Sequence, residues 1–227
     1  MKLAEARALT LAVSPGQSVS ALLQHPVDAR ACCVLAHGAG AGMTHAFMQA
    51  TATGLAERGI ATLRYQFPYI ERGSKRPDAP ALAHATVRAA VAEAARQLPH
   101  LPLIAGGKSF GGRMTSQAQA AEPLPGVRGL VFLGFPLHPA GKPGVDRAAH
   151  LADVALPMLF VQGTRDELAD TSLLQSVTAG LADRATLLAL EHADHAFHVP
   201  AKSGCNDADT LARALDGVAE WVGANLR

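Results

Sequence analysis

Short apolar runs alternate with segments of helical periodicity along most of this sequence, and this alternation restricts the fold more than any other feature. Residues 31–36 are apolar throughout, as expected of a strand buried on both faces. Further along, residues 83–98 place Val87, Val91 and Leu98 on one face of a helix. Helical crossovers between buried strands require a mostly parallel sheet with helices on both faces.

The pattern predicts an eight-stranded, mostly parallel sheet that begins with a hairpin around the Ser-Pro-Gly turn at 14–16. The segment 66–81 is rich in proline, glycine and charge, which predicts a loop. The predicted strands are 9–13, 18–23, 31–36, 60–65, 101–105, 129–133, 158–162 and 185–190. The predicted helices are 45–58, 83–98, 110–121, 171–181 and 207–223.

Size and charge favour a single compact α/β domain that covers residues 1–227. A chain of 227 residues can bury about 70% of its unfolded surface, which is enough for a sizeable core. Hydrophobic residues make up 49% and charged residues 17%, which excludes a disordered chain. The net charge of +1 gives no basis for a nucleic-acid partner.

The cysteines and the first residues indicate a reduced, cytoplasmic protein without a membrane partner. Cys32, Cys33 and Cys205 are odd in number, and two are adjacent in an apolar run, which argues against a disulfide framework. Glu5 and Arg7 interrupt the apolar start that a signal peptide would need. No stretch approaches the ~20 apolar residues of a membrane span.

The segment 107–111, Gly-Lys-Ser-Phe-Gly, is the sharpest chemical signal, because it follows a predicted strand and opens a predicted helix. A Gly-x-Ser-x-Gly turn exposes the serine oxygen on a tight strand-to-helix turn, so Ser109 is the candidate nucleophile. The same letters end a phosphate-binding loop, but that motif needs a glycine where Pro102 stands. We therefore reject nucleotide binding by this route.

A glycine-rich run at 37–42, His-Gly-Ala-Gly-Ala-Gly, follows the third predicted strand. Acyl transfer needs two N–H donors aimed at the oxyanion. The predicted donors are Phe110, directly after the serine, and either Ala39 or Gly40 in this loop. A dinucleotide fingerprint is disfavoured, since Met43 occupies the place of its third glycine.

Two later segments supply the other groups that an activated serine needs. In the segment 163–166, Gly-Thr-Arg-Asp, we choose Asp166 as the acid that orients the histidine. Glu167 and Asp170 are its competitors, and Asp170 fits better as the cap of the following helix. In the segment 191–198 we choose His195 as the general base.

The spacing of the three histidines at 192, 195 and 198 also suggests a metal site. Because the segment is a predicted loop with no cysteine or fourth ligand nearby, we expect no metal there, and we expect no cofactor. His192 and His198 are then solvated loop histidines.

The chain resembles the α/β-hydrolase superfamily over essentially its whole length. The chain order Ser, Asp, His is the order found in that superfamily. Within it, the sequence resembles the small branch without a lid domain, similar to dienelactone-hydrolase-like serine hydrolases. The segments 67–69, 135–139 and 160–166 resemble a sub-branch of bacterial proteins of unknown substrate and eukaryotic subunits of chromatin complexes. Dienelactone hydrolases proper use a cysteine nucleophile where this chain has Ser109. The resemblance thus implies an α/β-hydrolase fold and the triad positions, without a substrate.

These features predict a serine hydrolase that cleaves a small ester or thioester, with a small-molecule acyl substrate as its partner. About twenty residues separate 135 from 157, too few for a lid domain, so we expect an open site. Arg72, Lys75 and Arg76 fit a solvated surface better than a site for acidic substrates. The rival is a non-catalytic scaffold for protein partners, whose expected mark is a broken triad. The sequence leaves open whether the protein forms a homodimer.

Overall fold

A computed structural model describes residues 5–226, which form eight strands and six α-helices. The strands are β1 (Arg7–Ser14), β2 (Gln17–Gln24), β3 (Ala31–Ala36), β4 (Ile60–Tyr65), β5 (Leu103–Lys108), β6 (Val127–Leu133), β7 (Met158–Gly163) and β8 (Ala185–Leu190). The helices are α1 (Ala46–Glu57), α2 (Pro68–Glu71), α3 (Pro80–Gln97), α4 (Phe110–Ala121), α5 (Thr171–Gly180) and α6 (Asp207–Asn225).

The strands form one sheet in the order β1-β2-β4-β3-β5-β6-β7-β8. The first two strands pair antiparallel as a hairpin, and β2 pairs antiparallel with β4. From β3 onward each neighbouring pair is parallel. Every residue of β3, β4 and β7 is buried, because helices cover both faces of these central strands.

Two hydrophobic cores lie on opposite faces of the sheet. One contains residues of α1 and α6, with Met48, Leu55 and Trp221 among its buried side chains. The other contains residues of α3, α4 and α5, with Val87 and Met114 among its buried side chains. The predicted architecture, a mostly parallel eight-stranded sheet with helices on both faces, is therefore confirmed.

The differences from the predicted elements lie at their ends and in one loop. The segment 66–81 contains the short helix α2 and the first turn of α3, and each helix begins with a proline in its first turn. Proline fits there because it has no N–H to leave unpaired and its φ suits a helix. Strand β5 is Leu103–Lys108, so the predicted bounds 101–105 were wrong by two residues at the start and three at the end. Strand β6 starts at Val127, two residues before the predicted start at 129.

No helix between residues 5 and 226 combines the length and the apolar character needed to cross a bilayer.

Strands β5 and β6 approach each other so closely that Gly106 has no room for a side chain. A Cβ there would overlap the carbonyl oxygen of Val131 and lie 2.9 Å from its nitrogen, both backbone atoms of a central strand. By contrast, a Cβ at Gly180, the last residue of α5, would meet nothing within 4 Å. Gly106 therefore sets the spacing of the two strands under the functional site.

We expect Gly106→Ala to lower the free energy of unfolding by about 2–4 kcal/mol, because a central strand must move to admit the methyl group. Gly180→Ala should leave it unchanged or raise it by up to about 1 kcal/mol, since alanine has less backbone entropy to lose. Urea unfolding of both variants measures this. Equal urea midpoints for the two variants would contradict the steric explanation for Gly106.

Candidate active site

All the predicted chemical groups lie at one edge of the sheet, beyond the carboxyl ends of the parallel strands. Ser109 follows β5, the glycine-rich run 37–42 follows β3, and Asp166 and His195 follow β7 and β8. In open α/β sheets this edge is where ligands bind, because the loops there converge on one crevice.

Ser109 occupies the tight turn between β5 and α4 that the sequence predicts. Its backbone has φ +50° and ψ −115°, a region that residues with a side chain rarely adopt and that costs about 1–3 kcal/mol. The turn is fixed on both sides: the Ser109 N–H donates to the Leu133 carbonyl at 3.2 Å, and the Arg113 N–H donates to the Ser109 carbonyl at 3.1 Å. The serine hydroxyl is held on the cavity side.

The two glycines around Ser109 are required because the end of β3 lies against them. A Cβ at Gly107, where φ is +153°, would overlap the carbonyl oxygen of Ala36. A Cβ at Gly111 would lie 2.5 Å from the carbonyl oxygen of His37. The glycine pattern of the motif thus results from a close approach between the end of β3 and the turn from β5 to α4.

His195 bridges Ser109 and Asp166 through its two ring nitrogens. Its Nε2 lies 2.8 Å from the Ser109 Oγ, and its Nδ1 lies 2.6 Å from the Asp166 Oδ2. A carboxylate only accepts hydrogen bonds, so Nδ1 carries the proton and Nε2 is free to accept the proton of the serine. The Asp166 side chain is 0% exposed and that of His195 is 28% exposed, so the carboxylate is enclosed while the imidazole can be reached from solvent.

Asp166 is positioned by two further donors, of which sequence reasoning missed the more important. The buried Gln162 donates from Nε2 to Asp166 Oδ2 at 2.5 Å, and its Oε1 accepts from the Phe135 N–H at 2.8 Å. The Leu168 N–H donates to Asp166 Oδ1 at 2.8 Å. A polar residue at the end of the otherwise apolar strand β7 was the signal that could have identified Gln162. Of the two alternative acids, Glu167 is exposed, and Asp170 accepts hydrogen bonds from the first N–H groups of α5, as predicted.

The loop that carries His195 is braced by Asp194 and by the neighbouring acid loop. Asp194 Oδ1 accepts from the Ala196 N–H at 2.7 Å and from the His198 N–H at 3.0 Å. The Arg165 N–H donates to the Ala193 carbonyl at 2.8 Å, which joins the two loops directly next to Asp166. The acid and the histidine are therefore held by one connected backbone.

His37 fixes the loop that follows β3. Its Nε2 accepts from the Phe67 N–H at 3.0 Å, so Nδ1 must carry the proton and donate to the Gly38 carbonyl at 2.8 Å. Burial lowers the pKa of His37, partly offset by the bond to Gly38, which keeps the ring neutral in this role. The Tyr69 hydroxyl also donates to the Gly38 carbonyl, at 3.5 Å.

These donors orient the peptide between Gly38 and Ala39. In a trans peptide the N–H points opposite to the C=O, so the Ala39 N–H points away from His37. Ala39 lines the cavity at Ser109. Gly40 is exposed at the turn, with φ +76°. The Phe110 N–H is the first of α4 and has no partner inside the helix.

A cavity of about 410 Å³ opens above the serine. Most of its wall is small or apolar, and the groups that it shares with the triad are Ser109 and His195. The other lining residues are Gly38, Ala39, Ala41, His45, Phe47, Met48, Lys108, Leu168 and Ala196. Removal from water lowers the pKa of Lys108 to about 8, an effect that Asp166 and Asp194 oppose.

The other two histidines of the 191–198 segment have partners of their own. His198 forms an exposed ion pair with Asp207 at 2.9 Å, which raises the pKa of His198. His192 is exposed, and its backbone N–H donates to the Thr164 hydroxyl. In the part of the chain from 5 to 226, no three His, Cys, Asp or Glu side chains are grouped to hold a metal ion.

Arg72, from the basic loop, pairs with Asp78 at 2.6 Å.

A second serine–histidine contact exists away from the cavity. The Ser116 Oγ lies 2.7 Å from the His150 Nε2, on a fully buried position of α4. Burial and the nearby Arg113 charge lower the pKa of His150 to about 4. Because Ser116 lacks a route to solvent, this pair fits a structural contact.

The chain belongs to the alpha/beta hydrolase domain family, whose model matches residues 29–223. Membership and the fold together support a hydrolase. Among solved structures it is similar to dienelactone hydrolase from Anabaena variabilis ATCC 29413, at 21% identity and a TM-score of 0.80, covering 98% of this chain and 99% of that one.

Two further structures share the fold at similarly low identity. A serine hydrolase without a lid from Xanthomonas campestris is 23% identical with a TM-score of 0.73, covering 96% of this chain and 95% of that one. The esterase domain of a Rhodothermus marinus protein is 17% identical with a TM-score of 0.75, covering 98% of this chain and all of that one. The family model therefore confirms the expected superfamily, and the solved structures share its fold.

The lowered pKa of His150 predicts a pH-dependent stability. Between pH 6.5 and 4 the unfolded chain binds a proton at this position and the folded chain does not, so the folded state loses stability as the pH falls through that range. His150→Gln has no such proton and keeps a donor for Ser116. We expect its free energy of unfolding, measured by urea titration, to fall less steeply than that of the wild type from pH 6.5 to 4. Parallel curves would contradict this assignment.

Proposed function

We propose that this protein is a serine hydrolase in which Ser109, His195 and Asp166 form a catalytic triad that cleaves a small ester or thioester. The continuous path from Ser109 Oγ through His195 to the enclosed Asp166 carboxylate, at 2.8 and 2.6 Å, carries this proposal. We further propose that residues 1–227 act as one domain and that the reaction uses neither a metal nor a cofactor.

The proposed reaction is a two-step acyl transfer. Ser109 Oγ attacks the substrate carbonyl carbon while His195 Nε2 takes the hydroxyl proton, which gives a tetrahedral intermediate. His195 then returns this proton to the leaving oxygen or sulfur, and the acyl group stays on Ser109. In the second step His195 Nε2 takes a proton from water as the water oxygen attacks the acyl carbon. The bond from that carbon to Ser109 Oγ then breaks, the carboxylic acid leaves, and His195 returns the proton to Ser109 Oγ.

We assign the oxyanion donors to the N–H groups of Phe110 and Ala39. The N–H of Phe110 has no partner inside its helix, and the helix N-terminus favours negative charge. For the second donor we favour Ala39 over Gly40, because the Gly38 carbonyl accepts from His37, from Tyr69 and, at 3.5 Å, from the Ala41 N–H.

The cavity favours a short acyl group. Its volume of about 410 Å³ lies near the low end for small-molecule sites, and its walls are apolar side chains with few polar groups. The free thiols of Cys32, Cys33 and the exposed Cys205 support action in a reducing compartment such as the cytoplasm.

We expect a fluorophosphonate probe to label the wild-type protein, and Ser109→Ala to abolish the labelling, because the probe reacts only with an activated serine. Ser116→Ala is the matched control, since it removes the other serine hydroxyl bonded to a histidine nitrogen and should keep full labelling. Folded wild-type protein that does not react would favour a non-catalytic scaffold instead.

Turnover of a short ester tests the acid. Asp166→Asn should lower kcat by up to about 10⁴-fold, because an amide in place of the carboxylate stabilises the wrong tautomer of His195. Glu167→Gln, which changes the exposed neighbouring acid, should retain wild-type kcat. Equal losses in the two variants would reject Asp166 as the acid of the triad.

Acyl length provides an independent test of the cavity. We expect kcat/KM for nitrophenyl esters to fall by about tenfold or more from butyrate to palmitate, because a sixteen-carbon chain does not fit with the reacting carbonyl in a cavity of about 410 Å³. A preference for palmitate would show that the acyl group binds outside this cavity.

A further inference from the structure

The side chain of Lys108, the residue directly before Ser109, reaches across to the loop of the histidine. Its Nζ donates a hydrogen bond to the backbone carbonyl oxygen of His195. The ammonium lies 5.3 Å from the centre of the Phe197 ring and 5.7 Å from that of Phe47, within the range of a cation–π contact. Lys108 therefore contacts the loop that carries the base on both its backbone and its aromatic side chain.

The pocket around this ammonium is closely fitted. A Cβ at Gly134, where φ is +73°, would lie 2.8 Å from the Lys108 Nζ, so a side chain at this position would displace the ammonium. Two carboxylates face it at longer range: Asp166 from the loop after β7 and Asp194 from the loop after β8. The glycine leaves the space, and the carboxylates offset part of the cost of burying a charge.

We propose that Lys108 is a positioning residue for the proposed triad: its ammonium ties the His195 backbone to the serine turn and so fixes the distance between Ser109 and His195. This inference rests on the proposed function. Lys108 and Ser109 are neighbours in the chain, so one rigid turn presents the nucleophile and holds the base at the same time.

The geometry explains why such a tie matters. The imidazole of His195 is oriented by Asp166 from one side, but its backbone lies in a loop, where position is set by a few hydrogen bonds. A displacement of about 1 Å between reacting groups can lower a rate about 100-fold. A hydrogen bond from a charged donor is about twice as strong as a neutral one, which suits it to hold this loop.

The same tie predicts a loss of activity in alkali. Burial lowers the pKa of Lys108 to about 8, although Asp166 and Asp194 raise it, so the charge is lost as the pH rises through that value. We expect the rate of fluorophosphonate labelling of the wild type to decline above pH 8, and the rate for Lys108→Met to show no such decline. An equal decline for Lys108→Met would overturn the inference.

At pH 7, Lys108→Met should lower the labelling rate and kcat for a short ester by about 10- to 100-fold, with KM within about twofold of the wild type. Methionine keeps most of the side-chain volume and removes the donor. Lys142→Met removes the same charge from an exposed loop and is the matched control, with wild-type rates expected. A Lys108→Met rate equal to that of Lys142→Met would overturn the inference.

Chemical rescue separates the hydrogen bond from packing. Lys108→Ala lacks three carbons and the ammonium, the same atoms that propylammonium contains. We expect propylammonium to restore labelling of Lys108→Ala, whereas tetramethylammonium, which has no N–H, should not at equal ionic strength. Rescue by both ions or by neither would overturn the role of the donor.

Labelling of the wild type distinguishes a failure of the proposed function from a failure of the Lys108 inference. If wild-type protein with a normal unfolding transition is not labelled at any pH, the proposed function fails, and the inference fails with it. If the wild type is labelled but the Lys108 variants match it, the triad stands and only the positioning role is lost.

Discussion

The approach of the end of β3 to the turn after β5 is the constraint on which the candidate site depends. Ala36 and His37 press their backbone against Gly107 and Gly111, so the chain can pass only where side chains are absent. This contact forces the serine into a strained conformation and also brings the loop after β3 beside it. The proposed nucleophile and the proposed oxyanion donors are therefore consequences of one packing event.

The polar contacts around the site form a second level of organisation. Gln162 joins the acid to the loop after β6, and the Arg165 N–H joins the acid loop to that of the histidine. Each link is a backbone or side-chain hydrogen bond inside a region with little water, where an unpaired partner is costly. Such a network restricts the side chains to few arrangements, which suits a group of residues that must meet within hydrogen-bond distance.

Much of the fold could be predicted because a buried parallel strand has a local sequence pattern, an apolar run of about six residues. The predicted bounds of β3 and β4 coincide with those observed. The end of β5 was missed because Gly106, Gly107 and Lys108 have low strand propensity, and only pairing with the strands on either side keeps them extended. Helix α2 was missed because a four-residue helix leaves no periodicity to detect.

The candidate triad could be predicted because each member lies in a short motif directly after a strand, and the fold brings those strand ends together. Its chemical role stays a prediction. His37 bonds to Phe67, Gln162 to Phe135, and Lys108 to His195. These partners are between 27 and 87 positions apart in the chain, and no local pattern encodes such pairs. They depend on strand order and on the directions of single side chains, which only the packed structure determines.

The bonds on either side of the β6–β7 connection have a consequence for how this fold can diversify. Gln162 holds Phe135, and the His138 N–H donates to the Leu168 carbonyl at 3.0 Å, so the chain is anchored before it leaves for the exposed stretch 139–145. Residues inserted within that stretch would leave Asp166 and the residues that support it in their places. The connection is thus a point at which evolution or design can add residues without disturbing the hydrogen bonds that hold the acid loop.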